Sequence, residues 1–198
     1  MKHVFTIAFV SLALAGPALA DKLGLPVLSD YMTKLGTVET TFTQINSDGS
    51  LSTGNLAIQR PGRMRFEYDP PSLALVIAGG GQLAIFDPVS NEPPTQYPLR
   101  STPLNLILQR EVDFARSDMV VSHTGDDTAT RIVAQDPDQP DLGTIELVFS
   151  PAPVELRQWI ITNESGDQTT VILGALEERD ALSSFLFNIP FVIEDRLK

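Results

Sequence analysis

The chain has 198 residues, with 25 acidic against 14 basic side chains for a formal charge of −11, and no cysteine. That balance excludes nucleic-acid binding through a general field, because phosphate contacts need Lys and Arg, and it disfavours an anionic membrane surface for the same reason. Without a thiol there is neither a disulfide nor a cysteine nucleophile, so burial has to hold the fold together.

At the N-terminus, Lys2 and His3 precede the largely apolar run Val4 to Ala15, and Ala18-Leu19-Ala20 follows. A basic start, a short apolar stretch and small residues at an A-x-A site predict a secretory signal over 1–20, cleaved between Ala20 and Asp21. The run is about half of the ~20 residues that a spanning helix needs. No cysteine follows the cleavage site, so no N-terminal lipid anchor is expected. Residues 21–198 are expected to form a single exported domain.

Leu28, Tyr31, Met32 and Leu35 recur at i, i+3, i+4 and i+7, which predicts a helix from about Pro26 to Gly36. Short strands separated by turn signals follow: Val38 to Ile45, Leu51 to Arg60, Arg63 to Tyr68, Leu73 to Ala78 and Gln82 to Phe86. The turns between them are "NSDG", "RPG", "DPP" and "GGG". In "STPLNLILQR" a second helix is expected, capped by Ser101 or Thr102, with Pro103 in its first turn and Leu104, Ile107 and Leu108 on one face. Further strands fall near 118–124, 129–135, 143–150, 153–163 and 168–176. Strands that follow one another with few helices between them imply hairpins and meanders. The fold class is therefore mainly β with few helices: a sheet of about ten strands folded on itself, with two short helices over its concave side. Such a curved, apolar-lined sheet describes a hydrophobic pocket.

One residue breaks the alternation. Leu56, Ile58 and Arg60 stand two apart, so Arg60 continues an apolar row on one strand face. Arg63 and Arg65, offset by one, read as the solvated face.

The inventory for chemistry is thin. His123 is the one histidine after the signal, and Ser122 and Asp126 lie beside it at a strand end, whereas triad members are normally brought together from distant parts of a fold. Asp136, Asp138 and Asp141 in "DPDQPD" match no calcium loop. "GGG" at 79–81 precedes a strand, not the helix that a phosphate cradle requires. No catalytic residue, metal or cofactor is expected, and binding is the better reading.

The stretch from "VETTFTQ" through "GNLAIQRPGRMRFEYDPPSLALVIAGGGQLAIFDP" to "STPLNLIL" resembles the LolA family of periplasmic lipoprotein carriers. The matching features are FTQ after the first helix, G-x-L-x-I-x-R-P, F-x-Y-x-x-P, G-x-x-L before an aromatic-Asp-Pro, and TPLNLIL. The chain departs from the family pattern at Ala84 and Ile85, where a Trp is common, and at Met64, where an aromatic is common. A small Ala84 is expected to reshape the pocket. The resemblance implies an incomplete antiparallel β-barrel of about ten or eleven strands, with short helices covering its concave side. It implies a triacylated lipoprotein cargo, an inner-membrane ABC transporter as donor, and an outer-membrane receptor or the outer membrane itself as acceptor. It also implies a monomer in the Gram-negative periplasm that is not an enzyme. Arg60 matches the family arginine that bonds to backbone carbonyls of the helical cover and latches the empty pocket. Alternation nominates Leu56, Ile58, Met64, Phe66, Tyr68, Leu83 and Ile85 from strands, and Leu104, Ile107 and Leu108 from the cover, as acyl-binding residues. A lipid-sensing periplasmic regulatory module and a secreted hydrolase are the competing classes.

Overall fold

The computed structural model describes residues 22–196 apart from Asn91 and Ser117. The expected signal peptide and its Ala20–Asp21 cleavage site lie outside the described residues. Among the described residues, twelve strands form one antiparallel sheet. They are β1 (Thr37–Ile45), β2 (Leu51–Gln59), β3 (Arg63–Tyr68), β4 (Leu75–Gly79), β5 (Gln82–Phe86), β6 (Thr95–Pro98), β7 (Val120–Gly125), β8 (Thr130–Gln135), β9 (Thr144–Pro151), β10 (Val154–Thr162), β11 (Gln168–Leu173) and β12 (Glu177–Glu178). Their order is β6-β5-β4-β3-β2-β1-β11-β10-β9-β8-β7, and β12 continues the line of β11 against Val38 and Glu39. β6 and β7 are the two edges, so the sheet is open. Expectation fell short by β6 and β12: the first is fully exposed "TQYP" and the second has two residues, so neither carries an apolar rhythm.

The sheet curls strongly. β3 and β10 are four strand spacings apart, about 19 Å on a flat sheet, yet the rings of Phe66 and Trp159 meet edge to face with centroids 6.2 Å apart. The turns are those that the residues dictate. Gly80 and Gly81, at φ 59° and 79°, close the β4–β5 hairpin in the two-residue form that requires positive φ at both positions.

Helix α1 (Leu25–Lys34) takes Pro26 in its first turn and buries Leu28 and Met32 against the concave face. Tyr31 stands edge-on to Phe149, and its hydroxyl accepts the Leu156 N–H at 3.0 Å. Helix α2 (Asn105–Leu108) is a single turn, shorter than expected. Neither Ser101 nor Thr102 caps it: a 3-10 turn occupies Leu99–Ser101, and the Thr102 hydroxyl donates back to the Leu99 carbonyl at 2.8 Å. Leu106 joins Leu104, Ile107 and Leu108 in being buried.

The C-terminal segment was not anticipated. A 3-10 turn (Ser184–Phe187) and helix α3 (Ile189–Arg196) lie on the convex face. There Ile189, with Val192 and Ile193 packed alongside, covers Leu75, Ile77, Ala84 and Phe86. Asn188 caps α3 by accepting the Phe191 N–H at 3.0 Å. The Phe187 carbonyl oxygen would lie 2.0 Å from any Cβ added at Gly79, so glycine is what admits this segment. Arg65 is not solvated. Its guanidinium donates to the Leu186 carbonyl at 2.9 Å and pairs with Glu67, leaving 15% of the side chain exposed.

Candidate functional site

The register builds the concave face row by row. Ile58 stands opposite Met64, and Leu56 opposite Phe66. Met64 in turn opposes Ala78, and Ala78 opposes Leu83. Opposed residues share a face, so Leu56, Ile58, Met64, Phe66 and Leu83 form one floor. Leu104, Ile107 and Leu108 from the cover bury against the same cluster, together with Leu28 and Met32 of α1. Tyr68 is half-buried at its margin, between Phe42 and Phe66, with its hydroxyl donating to Gln44 Oε1 at 2.7 Å. Burial pushes the Tyr68 phenol above its ordinary value.

One expectation fails at β5. Ile85 opposes Val76, so it shares the floor's side, and it is 40% exposed. It belongs to the rim. Ala84 points the other way and is buried under α3, so its small size cannot reshape the concave side.

Leu104, Leu106, Ile107 and Leu108 of the cover pack with the floor in one buried cluster. Two grooves are described beside it. A groove of about 510 Å³ sits on the convex face between β1–β3 and the C-terminal segment, where Arg179 bridges Glu39 and Glu177 at 2.6 Å each. A second, of about 570 Å³, lies beside the end of α2, lined by Pro61, Gly62, Gln82, Asn105 and Gln109 among others.

Arg60 stands at that end. It follows β2 directly, its backbone N–H donates to the Gly36 carbonyl at 3.1 Å, and the Pro61–Gly62 turn carries the chain back into β3. Two bonds join this hairpin to the last carbonyls of α2. Gly62 N–H donates to the Leu108 carbonyl at 2.8 Å, and Arg60 Nη2 donates to the Gln109 carbonyl at 2.5 Å. Arg60 Nε and Nη1 are buried without a partner among the described residues. That burial pushes the guanidinium below its ordinary pKa. A charge held by one acceptor with two donors unmet is a costly arrangement.

His123 contributes no chemistry of its own to this site. Its Nε2 lies 2.9 Å from the Leu23 carbonyl, while Lys22 Nζ donates to the His123 carbonyl and Leu23 N–H to Thr130 Oγ1, both at 2.9 Å. These bonds tether the segment before α1 along β7 and β8.

Trp159 is the concave-face residue that sequence reasoning missed. It is fully buried, opposite Val171 and Leu147, with its indole Nε1 unpartnered among the described residues. A β-bulge between Leu156 and Gln158 puts Leu156 and Trp159, three apart, on the same face. Strict alternation hides such a residue. Its size and its rarity in the chain were the available signals.

Residues 33–190 match the family model described as outer membrane lipoprotein carrier protein LolA. The chain belongs to the LolA family. Among its relatives, an outer-membrane lipoprotein carrier protein of Coxiella burnetii is 26% identical, over 88% of this chain and 86% of that one. One from Pseudomonas aeruginosa is 24% identical over 96% of both. Among solved structures, a LolA superfamily protein of Nitrosomonas europaea is similar at a TM-score of 0.46 with 10% identity, covering 84% of this chain and 98% of that one. In this LolA chain "GNLAIQRPG" and "RMRFEY" build the floor and the hairpin that grips α2, and "TPLNLIL" contains α2 itself.

Proposed function

We propose that this protein is a periplasmic carrier that shelters the acyl chains of a lipoprotein against its concave face and moves the cargo from an inner-membrane ABC transporter to an outer-membrane acceptor. Family membership supports a carrier of lipoproteins, and the observation that carries the mechanism is the Arg60–Gln109 contact between the β2–β3 hairpin and α2. The cover buries the concave face, so acyl chains enter by displacing Leu104, Ile107 and Leu108. Each methylene buried contributes about 0.8 kcal/mol. Roughly ten of them give ~8 kcal/mol, near micromolar affinity. Breaking the charge-assisted bond of Arg60 consumes about 1.5–3 kcal/mol of this. The latch thereby weakens net binding and keeps the cargo transferable. The acidic surface opposes adsorption to anionic leaflets.

The test is transfer in two steps. Adding the protein to spheroplasts is expected to release acylated lipoprotein in soluble form, and the loaded protein then delivers it to outer membranes. Arg60→Leu is expected to load normally and deliver poorly. Normal delivery by that variant refutes the latch, and failure of the native protein to solubilise any lipoprotein refutes the carrier.

A further inference from the structure

Every buried side-chain nitrogen or oxygen without a partner among the described residues is an N–H donor: Arg60 Nε, Arg60 Nη1 and Trp159 Nε1. Both residues belong to the concave side, Arg60 by its bond to Gln109 at the end of the cover, Trp159 by its packing with Phe66. Buried polar groups are paired in the great majority of cases, so orphans gathered on one surface and all of one kind require a reason. Trp159 is the sharper case. It has 0% exposure and stands opposite Val171 and Leu147, neither of which offers a side-chain acceptor. A Phe or Leu would serve packing there without burying an unmet N–H. The acceptor that fits the indole is one that arrives inside hydrocarbon and brings no donor of its own. An acyl carbonyl meets that description; plain alkyl chains do not.

We propose that Trp159 is a cargo-binding residue whose indole N–H donates to an acyl carbonyl once the chains have displaced the cover. This rests on the carrier reading and adds that the concave face recognises the acyl linkage as well as the chain. Hydrogen bonding then separates two lipids of equal hydrocarbon content. A diester offers carbonyls, and the matching diether does not.

Because Trp159 is the chain's one tryptophan, its spectra report on this position alone. The protein is titrated with dioctanoylglycerol and with diheptylglycerol, the diether whose chains carry the same number of hydrocarbon carbons beyond the linkage. The native protein is expected to bind the diester about tenfold more tightly, the size of one such bond. Trp159→Phe is expected to bring the two affinities together. In the native protein, the resonance Raman mode that senses indole N–H bonding is expected to move to its bonded position with the diester and to stay unbonded with the diether. This measurement needs no variant, so it decides the matter if Trp159→Phe does not fold. Equal affinities in the native protein, a preference that survives Trp159→Phe, or an unmoved Raman band with bound diester each overturns the proposal and leaves the carrier standing. If neither lipid binds, both fall.

Discussion

Ile58 lies within β2 and Arg60 just past its end, and their contributions to stability should differ sharply. Ile58 is 2% exposed in the core, and Ile58→Ala is expected to cost about 2–5 kcal/mol from lost burial and the cavity left behind. Arg60→Leu loses one charge-assisted bond but also removes two buried, unmet donors. The two effects oppose, so its urea midpoint should correspond to a change within about 1 kcal/mol of the native value. A large loss would make Arg60 a structural residue. Tyr31 and Tyr68 give a pH dependence at the same scale. Burial raises both phenols above their ordinary value, so below about pH 10 they are neutral folded or unfolded and their contribution is complete. Above that, the unfolded chain releases its protons first, and stability should fall as pH rises towards the folded values. Urea midpoints between pH 8 and 11 check this, and Tyr68→Phe should flatten the fall.

At the scale of elements, α2 and α3 are held by different means. The single turn of α2 depends on Leu104, Leu106, Ile107 and Leu108 together with the two bonds from the hairpin, which suits an element that lifts. The C-terminal segment is fixed by Arg65, by the close approach of Phe187 to Gly79 and by burial of Ile189. Gly79→Ala is expected to dislodge it at a cost of about 1–3 kcal/mol from overpacking. Hydrogen exchange should quicken over 184–196 while the emission of Trp159, on the other face, stays unchanged. The same contrast explains what the sequence showed of these elements. "RPG" and "TPLNLIL" carry turn and periodicity signals that place the hairpin and the cover. Nothing in "RMRFEY" tells that Arg65 meets a carbonyl 121 residues later, because that contact exists only after the C-terminal segment has returned across the sheet. The cap of α2 was misplaced because the Thr102 hydroxyl serves the preceding 3-10 turn instead.

For the whole molecule, the open sheet leaves β6 and β7 as edges and curls enough to bring β3 against β10. The tether formed by Lys22, Leu23, His123 and Thr130 begins right after the expected cleavage site. The signal reading together with the carrier reading predicts a mature protein that starts at Asp21, sediments as a monomer and is recovered from the periplasm. N-terminal sequencing and ultracentrifugation of the periplasmic fraction test this, and a mature start within α1 would contradict it by removing the tether.

The amino-acid sequence alone determined the strand rhythm, the hairpin turns, the acidic surface and the anomalous place of Arg60, because each depends on neighbours a few residues away. Period-two alternation is a local property, and so is the need for glycine at positive φ. Tertiary structure decided the rest: which carbonyl Arg60 meets, that Ala84 faces α3 and Ile85 the rim, and that Trp159 is buried with its N–H unmet. Those outcomes follow from curvature, from a bulge that resets the alternation, and from segments far apart in the chain packing on opposite faces of one sheet, none of which a local pattern encodes.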